Sequence, residues 1–202
     1  MQNKPYHHGD LRNALIEAGI DLINREGERN FSLRKVAVLC NVSHAAPYSH
    51  FKNKEELLKA MQEHVTVQLM ETFEKAARVN SGSDSKEALI QIGKSYILFF
   101  LYHPQYYSFL FSQPCMKIDL SMKDNDNDFP PFRLFLGTAQ RVLGEMGLSK
   151  SRIKDATISM WALVHGLASI VTMKYVRYDE NWETKIEDFI RNDQKAAESG
   201  GK

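Results

Sequence analysis

Side chains able to do chemistry crowd into one stretch, Phe31 to Leu57, FSLRKVAVLCNVSHAAPYSHFKNKEEL. Ser32, Arg34, Ser43, His44, Tyr48, Ser49, His50 and Lys54 bring hydroxyls, a guanidinium, imidazoles, a phenol and an ammonium into it. Such groups donate hydrogen bonds to phosphate oxygens and base edges, and small residues such as Ala45 and Ala46 can touch thymine methyls. Catalysis has no comparable foothold. The sequence holds no GxSxG, HExxH, GxGxxG or Walker A pattern, and Cys115 lacks a helix-terminus or basic-neighbour pattern that would mark an activated thiolate. No enzyme and no cofactor are expected.

Three other places could bind something. From Tyr96 to Ser112 aromatic residues stand at Tyr96, Phe99, Phe100, Tyr102, Tyr106, Tyr107, Phe109 and Phe111, a density far above the 10% of the whole chain. That is the composition of a helical core, and equally of a pocket whose phenols orient an apolar or aromatic ligand. The candidates are Tyr96, Phe99, Phe100, Tyr107, Phe111, Phe135, Trp161 and His165. His165 lies in an apolar run, where a lone histidine is either a core residue bonded to a carbonyl or hydroxyl, or a ligand-orienting group. No His, Cys or carboxylate sits three or four residues from it, so metal binding is not expected there. The run Asp124-Asn125-Asp126-Asn127-Asp128 resembles the opening of a calcium loop, but Phe129 stands where Gly is required and Phe135 where Glu is. A flexible acidic loop is the expectation.

The elements that must position the first set follow from spacing. Ser32 precedes an apolar row at Leu33, Val36, Ala37 and Cys40, which is one helical face behind an N-cap. Asn41 interrupts it. Ser43 is a second candidate N-cap, opening a short helix through Tyr48 to Phe51. Two short helices across a tight turn make a helix-turn-helix, whose second helix can enter a DNA major groove. Pro47 cannot donate a backbone bond and biases Ala46 away from helical angles, so this second helix should start tighter or later than its pattern suggests. Upstream, Leu11, Ala14, Leu15, Ala18 and Leu22, with a second row at Ile16, Ile20 and Ile23, predict a helix packed on two sides and ending at Gly27.

Val42 to Leu57, VSHAAPYSHFKNKEEL, resembles the recognition-helix signature of TetR-family transcriptional regulators, with its VS, Y-x-HF and K-x-x-L elements in register. Ala45, Ala46 and Pro47 depart from the residues common there. A weaker likeness lies at Trp161-Ala162-Leu163-Val164-His165-Gly166, similar to the W-x-x-x-H-G element of the WHG-type C-terminal domain in one TetR subgroup. The resemblance implies an all-α fold with an N-terminal three-helix DNA-binding domain and a C-terminal helical domain for ligand binding and dimerisation. It implies phosphate contacts from Ser32, Tyr48 and Lys54 and base-edge contacts from Arg34, His44, Ala45, Ala46 and Ser49, with Ser43 and His50 in the same interface. A solvated surface lysine is the other reading of Lys54. The partners implied are a palindromic double-stranded operator, a second copy of the chain and a small-molecule effector.

The domains expected are residues 1–53 as the DNA-binding head, 54–80 as a connecting helix, 81–192 as the effector and dimerisation body, and 193–202 as a flexible tail. Within the first, residues 1–9 form a polar arm with Lys4, His7 and His8, either touching the DNA backbone or disordered. Asn53 and Glu56 resemble a capping box opening the long helix through Leu57, Met61, Val65, Leu69 and Phe73. Ser81 to Ser85 reads as a loop. Helices are expected at 86–102, from Pro104, at 130–146, at 151–176 behind a Ser149 cap, and near Trp182 to Ile190. The 151–176 helix is apolar nearly all round and must be covered by its own chain or by a partner.

Charge sets limits. The whole chain carries only +1, and phosphate neutralisation supplies nonspecific DNA affinity, so the DNA reading rests on the motif. No apolar run approaches the roughly 20 residues that span a bilayer. Cys40 and Cys115 suggest no disulfide framework and the N-terminus shows no cleavable signal, so a cytoplasmic protein is expected. A helical adaptor that binds only protein is the alternative.

Overall fold

The computed structural model describes residues 11–79, 85–112, 117–123 and 129–199. The arm at 1–9, residues 81–84, Gln113-Pro114, Cys115, the acidic run 124–128 and residues 200–202 lie outside them. The described residues form eight α-helices and two 3-10 turns, and hold no strand. The all-α architecture expected from sequence is therefore the one observed.

α1, Leu11–Glu26, buries both predicted rows, with Leu15, Ile16, Ile20, Leu22 and Ile23 almost fully covered. Gly19 lets α1 approach closely, since a Cβ there would lie 2.8 Å from Met61 Sδ and 3.3 Å from the Phe31 ring. The helix ends at Gly27, whose φ of 78° is open to glycine at little steric cost. A 3-10 turn, Glu28–Asn30, leads to α2, Leu33–Leu39, which buries Leu33, Val36 and Ala37.

The second helix of the expected pair is corrected. Instead of an α-helix capped by Ser43, the chain makes one 3-10 turn, Ala46–Ser49, entered through Ala45 with no side-chain cap. Its bonds are three residues long: Ala46 N to Ser43 O at 3.0 Å and Tyr48 N to Ala45 O at 3.1 Å. Pro47 has no N–H to give an α-helical ladder, and burying its ring fixes the turn against α2.

α3, Lys54–Val79, runs from this head into the body, burying Leu57, Met61, Val65, Leu69 and Phe73 along one face. α4, Ser85–Tyr102, and α5, Pro104–Ser112, follow, then α6, Pro130–Glu145, α7, Lys150–Thr172, and α8, Trp182–Ser199. α4 is the central rod of the body, in contact with α3, α5, α6, α7 and α8. Gly93 sets two of those approaches, because a Cβ there would lie 3.1 Å from Val164 and 3.4 Å from Ile190. Ser149 caps α7 through Arg152 N, but the helix stops at Thr172, short of residue 176, where Met173 turns to extended angles. α8 runs beyond Ile190 to Ser199. No helix among the described residues is long and apolar enough to cross a membrane.

Candidate nucleic-acid interface and the aromatic cluster behind it

The outward face of the head is assembled from local devices. Ser32 Oγ accepts the Lys35 N–H at 3.3 Å, which starts α2 and leaves Arg34 facing solvent. Asn41 takes a φ of 54° and turns the chain off α2; asparagine tolerates that left-handed region better than most residues. Ser43, His44, Ala45, Tyr48, Ser49 and His50 are all exposed, Ala46 is half-buried and Tyr48 keeps 53% of its surface. The candidates from 43 to 50 are therefore open to solvent except for the half-buried Ala46, while Pro47 and Phe51 are buried. Ser49 donates its hydroxyl to Ala46 O at 2.7 Å, so only its lone pairs remain for an outside donor.

Lys54 sits differently from a free phosphate-binding lysine. Its ammonium donates to Glu28 O at 2.9 Å and lies 5.7 Å above the Phe31 ring. An ammonium has three donors, so this contact aims the group without exhausting it. Asn53 caps the helix start through Glu56 N at 2.8 Å, while the Glu56 carboxylate accepts Lys52 N at 2.6 Å. The reciprocal bond thus reaches one residue beyond the usual capping box. The structure adds Arg12, whose guanidinium lies 5.3 Å over the Phe51 ring at the edge of the head. Sequence spacing gives no sign of that pairing, because the two residues meet only when α1 and the turn are packed.

In the body, the eight aromatic candidates do converge. Tyr96 lies edge-on to Phe100 at 5.0 Å and tilted against Trp161 at 5.3 Å. Phe132 and Phe135 close the other side of Trp161. Phe99 packs on Phe100, and Phe111 meets Phe100, Tyr107 and His165. His165 is the polar centre: Tyr96 Oη lies 3.0 Å from Nδ1 and Tyr107 Oη 3.3 Å from Nε2, with the Trp161 ring stacked at 5.8 Å. Both ring nitrogens therefore have hydroxyl partners. Burial holds the imidazole below its ordinary pKa and pushes the Tyr96 phenol well above its own, the neighbouring Tyr107 adding to the latter. Burial thus favours the neutral form of the imidazole and the protonated form of the Tyr96 phenol.

These rings touch one another directly. A cavity of about 10 Å³ beside them, lined by Leu89, Gly93, Phe135 and Val164 among others, has room for no more than a water. A larger open cleft of about 390 Å³ lies between α3 and α6, lined by Met70, Arg133, Leu134, Gly137 and Gln140.

α7 buries one face, Thr157, Trp161, Val164 and Ala168, while Ala162 and Ile170 are exposed, as is Met173 just past its end, and nothing lies within 4 Å of a Cβ placed on Gly166.

Known proteins match both halves of this arrangement. Residues 15–61 match the family of bacterial regulatory proteins called tetR. Residues 89–191, which include Trp161 to Gly166, match the tetracyclin repressor-like C-terminal domain. The chain is similar to the HTH-type nicotine-responsive transcriptional repressor HdnoR of Paenarthrobacter nicotinovorans, 36% identical over 80 residues, and it spans 40% of that relative's length and 40% of its own. Among solved structures it is similar to a TetR-family transcriptional regulator of Haemophilus influenzae, with a TM-score of 0.62 and 27% identity over 90% of this chain and 95% of that one. A TetR-like transcriptional regulator of Rhodococcus sp. RHA1 shares the fold at a TM-score of 0.62 and 15% identity, over 96% and 99% of the two chains. Carrying the tetR model on its head and the repressor-like model on its body, the chain belongs to the tetR family of bacterial regulatory proteins, a family of transcriptional regulators.

Proposed function

We propose that the chain is a cytoplasmic, homodimeric transcriptional repressor, not an enzyme, that a small-molecule effector releases from a palindromic double-stranded operator. The observation that carries the reading is the exposed turn at residues 43–50 on a buried, capped head. Ser32, Tyr48 and Lys54 contact phosphates; Arg34, His44, Ala45, Ala46 and Ser49 face base edges, with Ser43 and His50 beside them. A single 3-10 turn reaches few base pairs, so two heads on a two-fold axis are needed for a site of useful length. The exposed Ala162 and Ile170 of α7, with Gly166 open to close approach between them, support pairing through the body.

The effector acts as a population shift. It binds unequally to two states of the body and favours the one whose heads are wrongly spaced for successive major grooves. Its binding region is the cluster around His165, where an apolar or aromatic compound would replace ring contacts and take one of the two phenol bonds. The relative's response to nicotine supports starting a thermal-shift screen with amines that carry an aromatic ring, nicotine included.

A gel-shift assay with duplex from upstream of the chain's own coding sequence tests the reading. Binding should weaken with salt and fall by roughly 10- to 100-fold in Tyr48→Ala, the worth of one hydrogen bond to a charged group. Binding that ignores Tyr48→Ala and Lys54→Ala would count against these contacts, and absent binding would favour an adaptor that recognises only protein.

A further inference from the structure

Three helices meet through a polar cluster that the reading above leaves without a task. Glu17 comes from α1 in the head, His64 and Gln68 from α3, and Tyr106 from α5. His64 Nε2 lies 2.7 Å from Glu17 Oε1 and 2.7 Å from Gln68 Nε2. Tyr106 donates its hydroxyl to Glu17 Oε1 at 2.5 Å and accepts Gln68 Nε2–H at 3.3 Å. Burial, then the Glu17 bond, push the Tyr106 phenol up to about 12, so it stays protonated and can keep donating.

One ring nitrogen carries either a hydrogen or a lone pair, so His64 Nε2 cannot donate to Glu17 and accept from Gln68 at once. The cluster has two arrangements. In the first, His64 Nε2–H donates to Glu17, and the Gln68 amide nitrogen leaves the ring and keeps its bond to Tyr106 Oη. In the second, Nε2 accepts from Gln68 and Glu17 is held by Tyr106 alone. The first ties α1 to both α3 and α5; the second ties it to α5 only.

α5 has contacts in both directions. Its next residue, Tyr107, bonds His165, and consecutive helical side chains point about 100° apart, so one short helix touches the head and the aromatic cluster together. Gln105 O, accepting Asn24 Nδ2 at 2.8 Å, is a second tie to α1. We propose that Glu17, His64, Gln68 and Tyr106 form a two-position hydrogen-bond latch, through which rearrangement at Tyr107 and His165 changes how firmly the head is held to α3. Its use in regulation rests on the DNA-binding reading, whereas its mechanics do not.

The test therefore reads the head without DNA. Amide hydrogen exchange is followed in the full chain over residues 11–26, with α8 as the internal reference. Tyr107→Phe should change exchange in α1 by about threefold or more, within the range of couplings carried by packed networks. The same substitution placed on Tyr106→Phe, which keeps the ring stacked on His103 and edge-on to His64, should change it by less than about 1.5-fold. His165→Gln repeats the comparison from the far side of α5. An unchanged α1, or an equal change in both backgrounds, overturns the latch. Duplex binding by the same proteins, with Tyr48→Ala as reference, is scored separately, so loss of the DNA reading and loss of the latch give different results.

Discussion

The head and the body of this protein solve opposite problems with the same helical material. The head, residues 11–53, holds a row of polar side chains outward on a turn whose own hydrogen bonds are few. It can do so because α1 and α2 bury Ile16, Ile20, Val36 and Phe51 beneath that turn. The body, residues 85–199, turns its distinctive residues inward, where Tyr96, Phe100, Phe132, Trp161 and His165 satisfy one another ring by ring. Exposure is thus what distinguishes the first set, and mutual contact is what organises the second. A substitution should therefore change partner affinity in the head and stability in the body.

The strongest way to break that contrast is Phe100→Ala. Phe100 is fully buried among Tyr96, Phe99, Tyr107 and Phe111, and truncation should cost about 3–5 kcal/mol in denaturant unfolding. A much smaller loss would mean that the cluster is a loosely filled site. The Tyr48→Ala change, by comparison, should leave unfolding within about 0.5 kcal/mol of the parent while weakening duplex binding.

Next comes the ion network that seats α8 on α4. Glu187 accepts Lys94 at 2.7 Å and Arg191 at 2.6 Å, and Arg191 also reaches Glu87 at 2.8 Å. These partners lower the Glu187 carboxyl to about 2. Since the folded value lies below the unfolded carboxylate value of about 4.3, its stabilisation is complete above the unfolded value and is lost as pH falls toward about 2. After screening by solvent this is worth on the order of 1–2 kcal/mol. Acid titration of parent and Glu187→Gln should converge across that window.

Ser32→Ala should cost roughly 1 kcal/mol by removing the α2 cap, and chemical denaturation would resolve it. The smallest expected effect is at His165. Its pKa is lowered on folding, so the folded state favours the neutral ring; stability is complete above the unfolded value of about 6.5 and declines as pH falls through the lower folded one. Near-ultraviolet circular dichroism of Trp161 should record a loosening there that His165→Phe lacks.

Much of this was readable because it is local. Ser32, Gly27, Ser149 and the Asn53–Glu56 pair act within a turn of their own positions, so their residue types announce helix ends. The rows on α1, α3 and α6 announce buried faces for the same reason. Pro47 announced a disturbance, although not its outcome. What spacing could not show is contact across the chain. Lys54 on Glu28 O spans 26 residues, Tyr107 on His165 spans 58 and Tyr106 on Glu17 spans 89.

By itself, then, the sequence determined most of the helices, the ends marked by Gly27, Ser32, Asn53 and Ser149, the outward polar stretch and the presence of an aromatic store in the body, since backbone periodicity and caps are properties of neighbouring residues. Only the tertiary structure decided that Ala46–Ser49 forms a 3-10 turn, that the aromatic rings close around His165, and that Glu17, His64, Gln68 and Tyr106 converge. Those outcomes depend on which helices pack together and at what distance, and packing is settled by side chains far apart along the chain meeting in one place.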